Sequence, residues 1–169
     1  MGDLSPIEPD AKEGWQVTWE IREAAHKDVP AIVAGLSGLL EELSGRQAGE
    51  REARVQIAHA LIDDGSAGIL LVAENLKEIV GVLGVSWQIA IRIPGRYGQV
   101  QEMWVHPAFR GLTIGGDLLA AMFEIARKQG VARLEVGLPS ERFPHTNATE
   151  AFYLNNGFAT IGTRMRRLL

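Results

Sequence analysis

The sequence contains no cysteine. That excludes disulfides, thiolate metal sites and a cysteine nucleophile, and it fits a reducing compartment. Long apolar runs are also missing. The longest, Ala67–Ala73, falls far short of the roughly 18 residues that a membrane-spanning helix needs. Residues 1–14 carry Asp3, Glu8, Asp10 and Glu13 with prolines and no apolar segment, so they read as a flexible tail and not as a signal peptide. Nor is there an excess of basic charge. Lys and Arg number 17 against 21 Asp and Glu, a net charge of −4, which disfavours a general nucleic-acid binder, since that needs a basic face. The expectation is a soluble, cytoplasmic protein with neither nucleic acid nor membrane as partner.

What is present suits one globular unit. A chain of 169 residues is close to the roughly 150 of a typical domain, and 46% apolar against 22% charged residues is near the globular average. One domain accounts for residues 15–169. Gln16–Glu23 alternates apolar and polar residues, as a half-buried strand does. Asp28 and Pro30 open an amphipathic helix whose apolar positions run Val29, Ile32, Val33, Leu36, Leu39, Leu40, Leu43 and which ends near Gly45. A second helix spans Glu50–Asp63. Ile69–Glu74 and Glu78–Ile91 form a hairpin, and Gly81 and Gly84 predict a bend or bulge in its second strand. Arg92–Gly98 reads as a loop, Gln99–His106 as a strand, Ile114–Gln129 as a helix, Arg133–Leu138 as a short strand and Pro139–Thr146 as a loop. Asn147–Asn156 is a short helix. Phe158–Ile161 and Thr163–Leu168 read as a closing pair of strands. The order βααβββαβαββ predicts an α/β fold in the broad sense, a mixed sheet flanked by helices.

The stretch Val100–Leu119, VQEMWVHPAFRGLTIGGDLL, is a strand, a glycine-bearing turn and a helix. Such a turn offers unpaired backbone N–H groups at a helix N-terminus, a site for phosphates. Arg110 stands at its mouth, placed for a bidentate phosphate contact. A Walker loop needs Gly-Lys-Ser/Thr and a dinucleotide site needs GxGxxG; both are absent.

The spacing R-G-L-T-I-G-G instead resembles the pyrophosphate loop of the GNAT superfamily of acyl-CoA-dependent N-acetyltransferases, which runs Gln/Arg-x-x-Gly-x-Gly/Ala. Arg110 and Gly115 match its first and last positions, and Thr113 replaces the middle glycine. A β-branched residue is costly at positive φ, so either the loop is right-handed at Thr113 or neighbouring glycines absorb the turn. Thr113 keeps its N–H and adds a hydroxyl. A second block, NATEAFYLNNGF (Asn147–Phe158), is similar to the family's later motif, with Tyr153 four residues before Gly157-Phe158.

The resemblance implies a mixed sheet whose central strands splay apart to admit acetyl-CoA as cosubstrate, with no metal. It implies cofactor contacts from Met103, Trp104, Val105, Arg110, Gly111, Leu112, Thr113, Ile114, Gly115, Gly116 and Tyr153. The backbone of Trp104 and Val105 would pair with the pantetheine arm and polarise the acetyl carbonyl. Tyr153 is the expected general acid for the departing thiolate, its alternative being an ordinary half-buried aromatic. Glu102 is the expected base, its alternative an outward-facing charge. Asn147 reads first as a helix N-cap and second as a cofactor contact. His106 and His145 read as surface histidines, since no His/carboxylate spacing suggests a metal. The function expected is transfer of acetyl to a primary amine of a small molecule or peptide by direct attack in a ternary complex, with an acyl-CoA-binding sensor as the alternative and room for a homodimer. Glu41, Glu42, Glu50 and Glu52 make the first helical region acidic, which suits a cationic acceptor.

Overall fold

The computed structural model describes residues 18–45, 49–162, 165 and 167. The tail expected over 1–14 and most of the closing strand expected over Thr163–Leu168 lie outside the described residues. The elements run β1 (Glu20–Glu23), α1 (Val29–Ser44), α2 (Arg51–Asp63), β2 (Gly68–Asn75), β3 (Glu78–Ala90), β4 (Ile93–Val105), α3 (Ile114–Lys128), β5 (Leu134–Val136) and α4 (Thr146–Asn155). Among the described residues, no helix is long and apolar enough to cross a membrane.

The sheet order is β1-β2-β3-β4-β5. Its first four strands are antiparallel neighbours, and β5 runs parallel to β4. Helices cover both faces. On one, α1 and α2 bury Val29, Val33 and Ala58 against Leu70, and Ile32 against Val72, Val82 and Trp104. On the other, Ile114, Leu118, Leu119 and Met122 of α3 pack with Leu83 and Val85 of β3 and with Tyr153 of α4.

The entry to α1 is fastened by charge. The Arg22 guanidinium donates to both carboxylate oxygens of Asp28, at 2.7 and 2.9 Å, and also to Glu74 of β2. Asp28 is buried, and burial alone would raise its pKa. The hydrogen bonds from Arg22 outweigh that and hold it below the usual carboxylate range.

Gly35 on α1 lies against Trp104. A Cβ there would stand 2.7 Å from the indole ring. In an exposed helix Gly→Ala stabilises by about 1 kcal/mol, but overpacking typically costs 1–3 kcal/mol. The second effect dominates here, so Gly35→Ala is expected to lower the melting temperature; a rise would show that α1 is free to shift off the sheet.

Two sequence expectations need correction. Arg92–Gly98 is not a loop: the turn is only Ile91-Arg92, and β4 already begins at Ile93. Pro94, Gly95 and Gly98 suggested a turn, but proline is tolerated in a strand that lacks a neighbour. That condition holds, because β2 reaches only to Ser86 of β3 and β5 begins pairing at Gly98. The hairpin therefore extends past the sheet as a two-stranded arm that exposes Ile89 and Ile91. Nor is Phe158–Ile161 a strand. After Gly157, at φ +84°, the Phe158 amide returns to the Tyr153 carbonyl and its ring packs on Phe123 and Tyr153. The bulge expected in the glycine-bearing strand is at Val80, since Ala73 pairs with Gly81 and Glu74 with Ile79; a second irregularity, at Gly84/Val85, puts its extra residue on β4.

Candidate active site

Strand β5 pairs with β4 over only three residues, Gly98↔Leu134, Gln99↔Glu135 and Val100↔Val136. Beyond Val100 the two strands part. The stretch Gln101–Val105 keeps β3 on one side, with Met103 opposite Leu83, Trp104 opposite Val82 and Val105 opposite Gly81. Among the described residues its other side has no strand partner, and a gap opens in the sheet there.

The turn from β4 into α3 closes one end of that gap. Among the described residues, no backbone carbonyl accepts from the N–H groups of Gly111, Leu112 or Thr113, nor from the first-turn N–H groups of Ile114, Gly115 and Gly116. These six donors are free at the positive end of the α3 dipole, the arrangement that favours a phosphate. Thr113 has φ −81° and ψ 3°, so it is right-handed. Gly111, at φ +81°, takes the positive φ that a side chain would resist. This resolves how the loop accepts a threonine at the family's middle glycine. The Thr113 hydroxyl donates to Asp117 at 2.9 Å, and the Trp19 indole donates to the same carboxylate oxygen at 2.9 Å. The Asp117 carboxylate beside the loop thus accepts from two donors.

Arg110, at the start of the turn, is held by protein groups. Its guanidinium donates to both oxygens of Glu42 on α1, at 2.8 and 3.1 Å, and its Nε donates to the Val105 carbonyl at 3.1 Å. Gly115 abuts α4, where a Cβ would meet the Phe152 ring at 3.1 Å. A valine there would therefore disturb helix packing before it reached any ligand. Asn147 is not the N-cap of α4. The helix starts at Thr146, whose hydroxyl donates to the Ser140 and Phe143 carbonyls; Asn147 sits exposed in the first turn.

Glu102 lies on the α1/α2 face beside Trp104. Its carboxylate covers Gly84, where a Cβ would overlap Oε2 and stand 3.2 Å from Leu70 Cδ2. The glycine is what makes room for the acid. Among the described residues no side chain donates a hydrogen bond to it, and burial alone pushes its pKa up to about 7. A carboxyl poised near neutrality, within a strand that borders a gap, is suited to accept a proton.

Tyr153 belongs to the opposite layer. It is 6% exposed, lies edge-on to Phe152 and Phe158, and burial pushes its pKa up to about 12. The phenol stays protonated at working pH. Glu102 and Tyr153 thus sit on opposite faces of the sheet and are not in contact. His106 accepts from the Ala108 amide at 3.2 Å, and His145 is exposed. Among the described residues no group of three or more His, Cys, Asp or Glu could hold a metal. An apolar depression on the arm, lined by Ile89, Ile91, Ile93 and Pro94, involves none of the expected site residues.

Sequence reasoning missed Asp117, Trp19 and Glu42 as partners of the loop. An acid in a helix's first turn is a readable signal, whereas contacts from β1 and α1 depend on tertiary packing alone.

The fold and the gap define an acyltransferase of the GNAT class. A family model described as an acetyltransferase (GNAT) domain matches residues 66–160, and the chain belongs to that family. The chain is 28% identical over 157 residues to the aminoalkylphosphonate N-acetyltransferase of Salmonella typhimurium, covering 89% of this chain and 91% of that protein. Among solved structures it is similar to a transcriptional regulator from Bacillus halodurans C-125, with a TM-score of 0.76, 24% identity and coverage of 90% and 100% of the two chains. An aminoglycoside N-acetyltransferase in complex with CoA gives a TM-score of 0.71 at 13% identity, with coverage of 90% and 95%. These structural likenesses concern the fold.

Proposed function

We propose that this acetyltransferase moves acetyl from acetyl-CoA to a primary amine of a small molecule or peptide by direct attack in a ternary complex. The observation that carries the reading is the half-buried Glu102 carboxyl seated over Gly84 on the strand that borders the gap, where desolvation pushes its pKa up to about 7. In this scheme the pyrophosphate rests on the free N–H groups of Gly111 to Gly116, and the pantetheine arm lies along the unpaired edge of Met103, Trp104 and Val105. The amine lone pair attacks the thioester carbon while Glu102 takes the N–H proton, directly or through one water. As the C–S bond breaks, Tyr153 gives its proton to the sulfur. Base and acid on opposite faces suit this chemistry, because the attacking nitrogen and the leaving sulfur lie on different sides of the tetrahedral carbon. No acyl-enzyme is needed, and without cysteine an acyl-thiol intermediate is excluded. The curated relative's name, an N-acetyltransferase of aminoalkylphosphonates, supports a small amine as acceptor.

The test is a pair of measurements on the wild type. Millimolar acetyl-CoA is expected to raise the melting temperature, since a ligand that binds only the native state stabilises it by mass action. Thiol release is expected to require an added amine. Unchanged melting would refute the cofactor site, and amine-independent binding without turnover would leave an acyl-CoA sensor.

A further inference from the structure

Ser86, Gln88 and Gln101 form a hydrogen-bonded cluster beside Glu102 that the mechanism does not use. Its origin is the bulge. Gly84 pairs with Glu102 and Val85 with Val100, so Gln101 is the extra residue of β4. A bulge re-aims a side chain and is frequent next to active sites. Here it sends Gln101 to the Ser86 hydroxyl: Gln101 Nε2 donates to Ser86 Oγ at 2.7 Å, and Gln88 Nε2 donates to the same oxygen at 2.9 Å. Residues 84, 86 and 88 share one face of β3, because side chains alternate along a strand. That is the face on which Glu102 covers Gly84.

The hydrogen-bond accounting leaves the cluster incomplete. A serine hydroxyl has two acceptor sites and one proton. Both acceptor sites are filled by the two amides, so the Ser86 proton remains to be donated. Among the described residues the Oε1 atoms of Gln88 and Gln101 accept nothing, and no charged side chain hydrogen-bonds to the cluster. Three donors, the Ser86 O–H and one further N–H on each amide, and two acceptors, all neutral, therefore remain on a partly open surface: Ser86 and Gln88 are half-buried and Gln101 is exposed. Two residues along a strand span roughly 7 Å. An amine whose nitrogen meets Glu102 thus places a substituent three or four bonds away beside Ser86.

We infer that Ser86, Gln88 and Gln101 select an acceptor amine that carries a neutral group able to both donate and accept, a hydroxyl or an amide, about three or four bonds from its nitrogen. The inference rests on the proposed acetyl transfer and on Glu102 as its base. A simple alkylamine leaves these polar groups unpaired, and an ionised phosphonate, though it can accept from the donors, also meets two carbonyl oxygens, beside which no charged side chain among the described residues is hydrogen-bonded.

The test uses the full chain at saturating acetyl-CoA and three acceptors of matched length: an amino alcohol, an alkylamine and an aminoalkylphosphonate. The wild type is expected to show the highest kcat/KM with the amino alcohol. Ser86→Ala, and separately Gln101→Ala at an exposed position that folding tolerates, are expected to reduce the preference for the amino alcohol over the alkylamine about three- to tenfold, the range of one net hydrogen bond. That loss should lie in KM and not in kcat, with the thermal shift by CoA retained. A preference of the wild type for the phosphonate or the alkylamine overturns the inference, and so does a variant that slows both acceptors in equal proportion. Acetyl-CoA binding without acetylation of any amine refutes the transfer reading itself, and the acceptor inference falls with it.

Discussion

Glu102→Gln is expected to produce the largest loss of activity of any single change at this site. General acid–base groups typically contribute 10²–10⁴-fold, and glutamine keeps the shape of the side chain while removing the basic oxygen. In the wild type, turnover should climb as pH rises through about 7, where the half-buried carboxyl ionises. The variant should lose that step and retain only the titration of the amine itself. An unchanged pH profile in Glu102→Gln would show that another group takes the proton.

The same residue should leave a mark on stability. Its folded pKa of about 7 lies above the ordinary 4.5, so between those values the folded state binds more protons than the unfolded chain. Stability must then fall as pH rises through that window. The gap corresponds to on the order of 3 kcal/mol once the group is charged. Glu102→Gln is therefore expected to melt higher than wild type at pH 8 and nearly level with it at pH 5. A variant that gains stability and loses turnover fits a functional site held at the expense of folding.

Tyr153→Phe carries the second largest expected effect. The change removes one hydroxyl from a buried ring that packs on Phe152 and Phe158, so the fold should hardly notice. If the phenol protonates the thiolate, kcat should fall about 10²–10⁴-fold while the affinity for acetyl-CoA holds. The phenol is pushed up to about 12, so no descending limb from Tyr153 is expected below pH 10. The measurement is single-turnover acetyl transfer, which slow product release cannot mask. A loss of tenfold or less would leave Tyr153 with an orienting role, solvent supplying the proton.

Much of the architecture could be read from residue patterns. The helix over Val29–Ser44 followed from its apolar spacing and the glycine after it, and the glycine-bearing turn into α3 followed from the stretch Arg110 to Gly116. What could not be read depended on distant partners. Arg92–Gly98 has the composition of a loop, yet its pairing with β3 makes it a strand. Arg110 had the right spacing for a phosphate, but a glutamate 68 positions away holds it. Thr113 could be right-handed or strained from sequence alone, and only the backbone angles decide. Glu102 was legible as an acid on the strand before the glycine-bearing turn. Its isolation was not, because that comes from Gly84 and Leu70 on neighbouring strands.

The pairing of Arg110 with Glu42 ties together parts of the molecule that, in the proposed complex, meet different ligands. Arg110 stands beside the turn that leads into α3, whereas Glu42 belongs to the helix that packs on Trp104, two residues from Glu102. In the proposed complex an arriving pyrophosphate competes with Glu42 for one guanidinium, and a guanidinium that changes partner frees the end of α1. Coupling of this kind is reciprocal: whatever factor the cofactor imposes on acceptor affinity, the acceptor imposes on cofactor affinity. The pair is about as exposed as an ordinary surface ion pair, with side chains 44% and 36% accessible, which limits the exchange to at most about 1 kcal/mol, or roughly fivefold. Loading in either order would reach the same ternary complex, but the second ligand would not meet the same protein as the first.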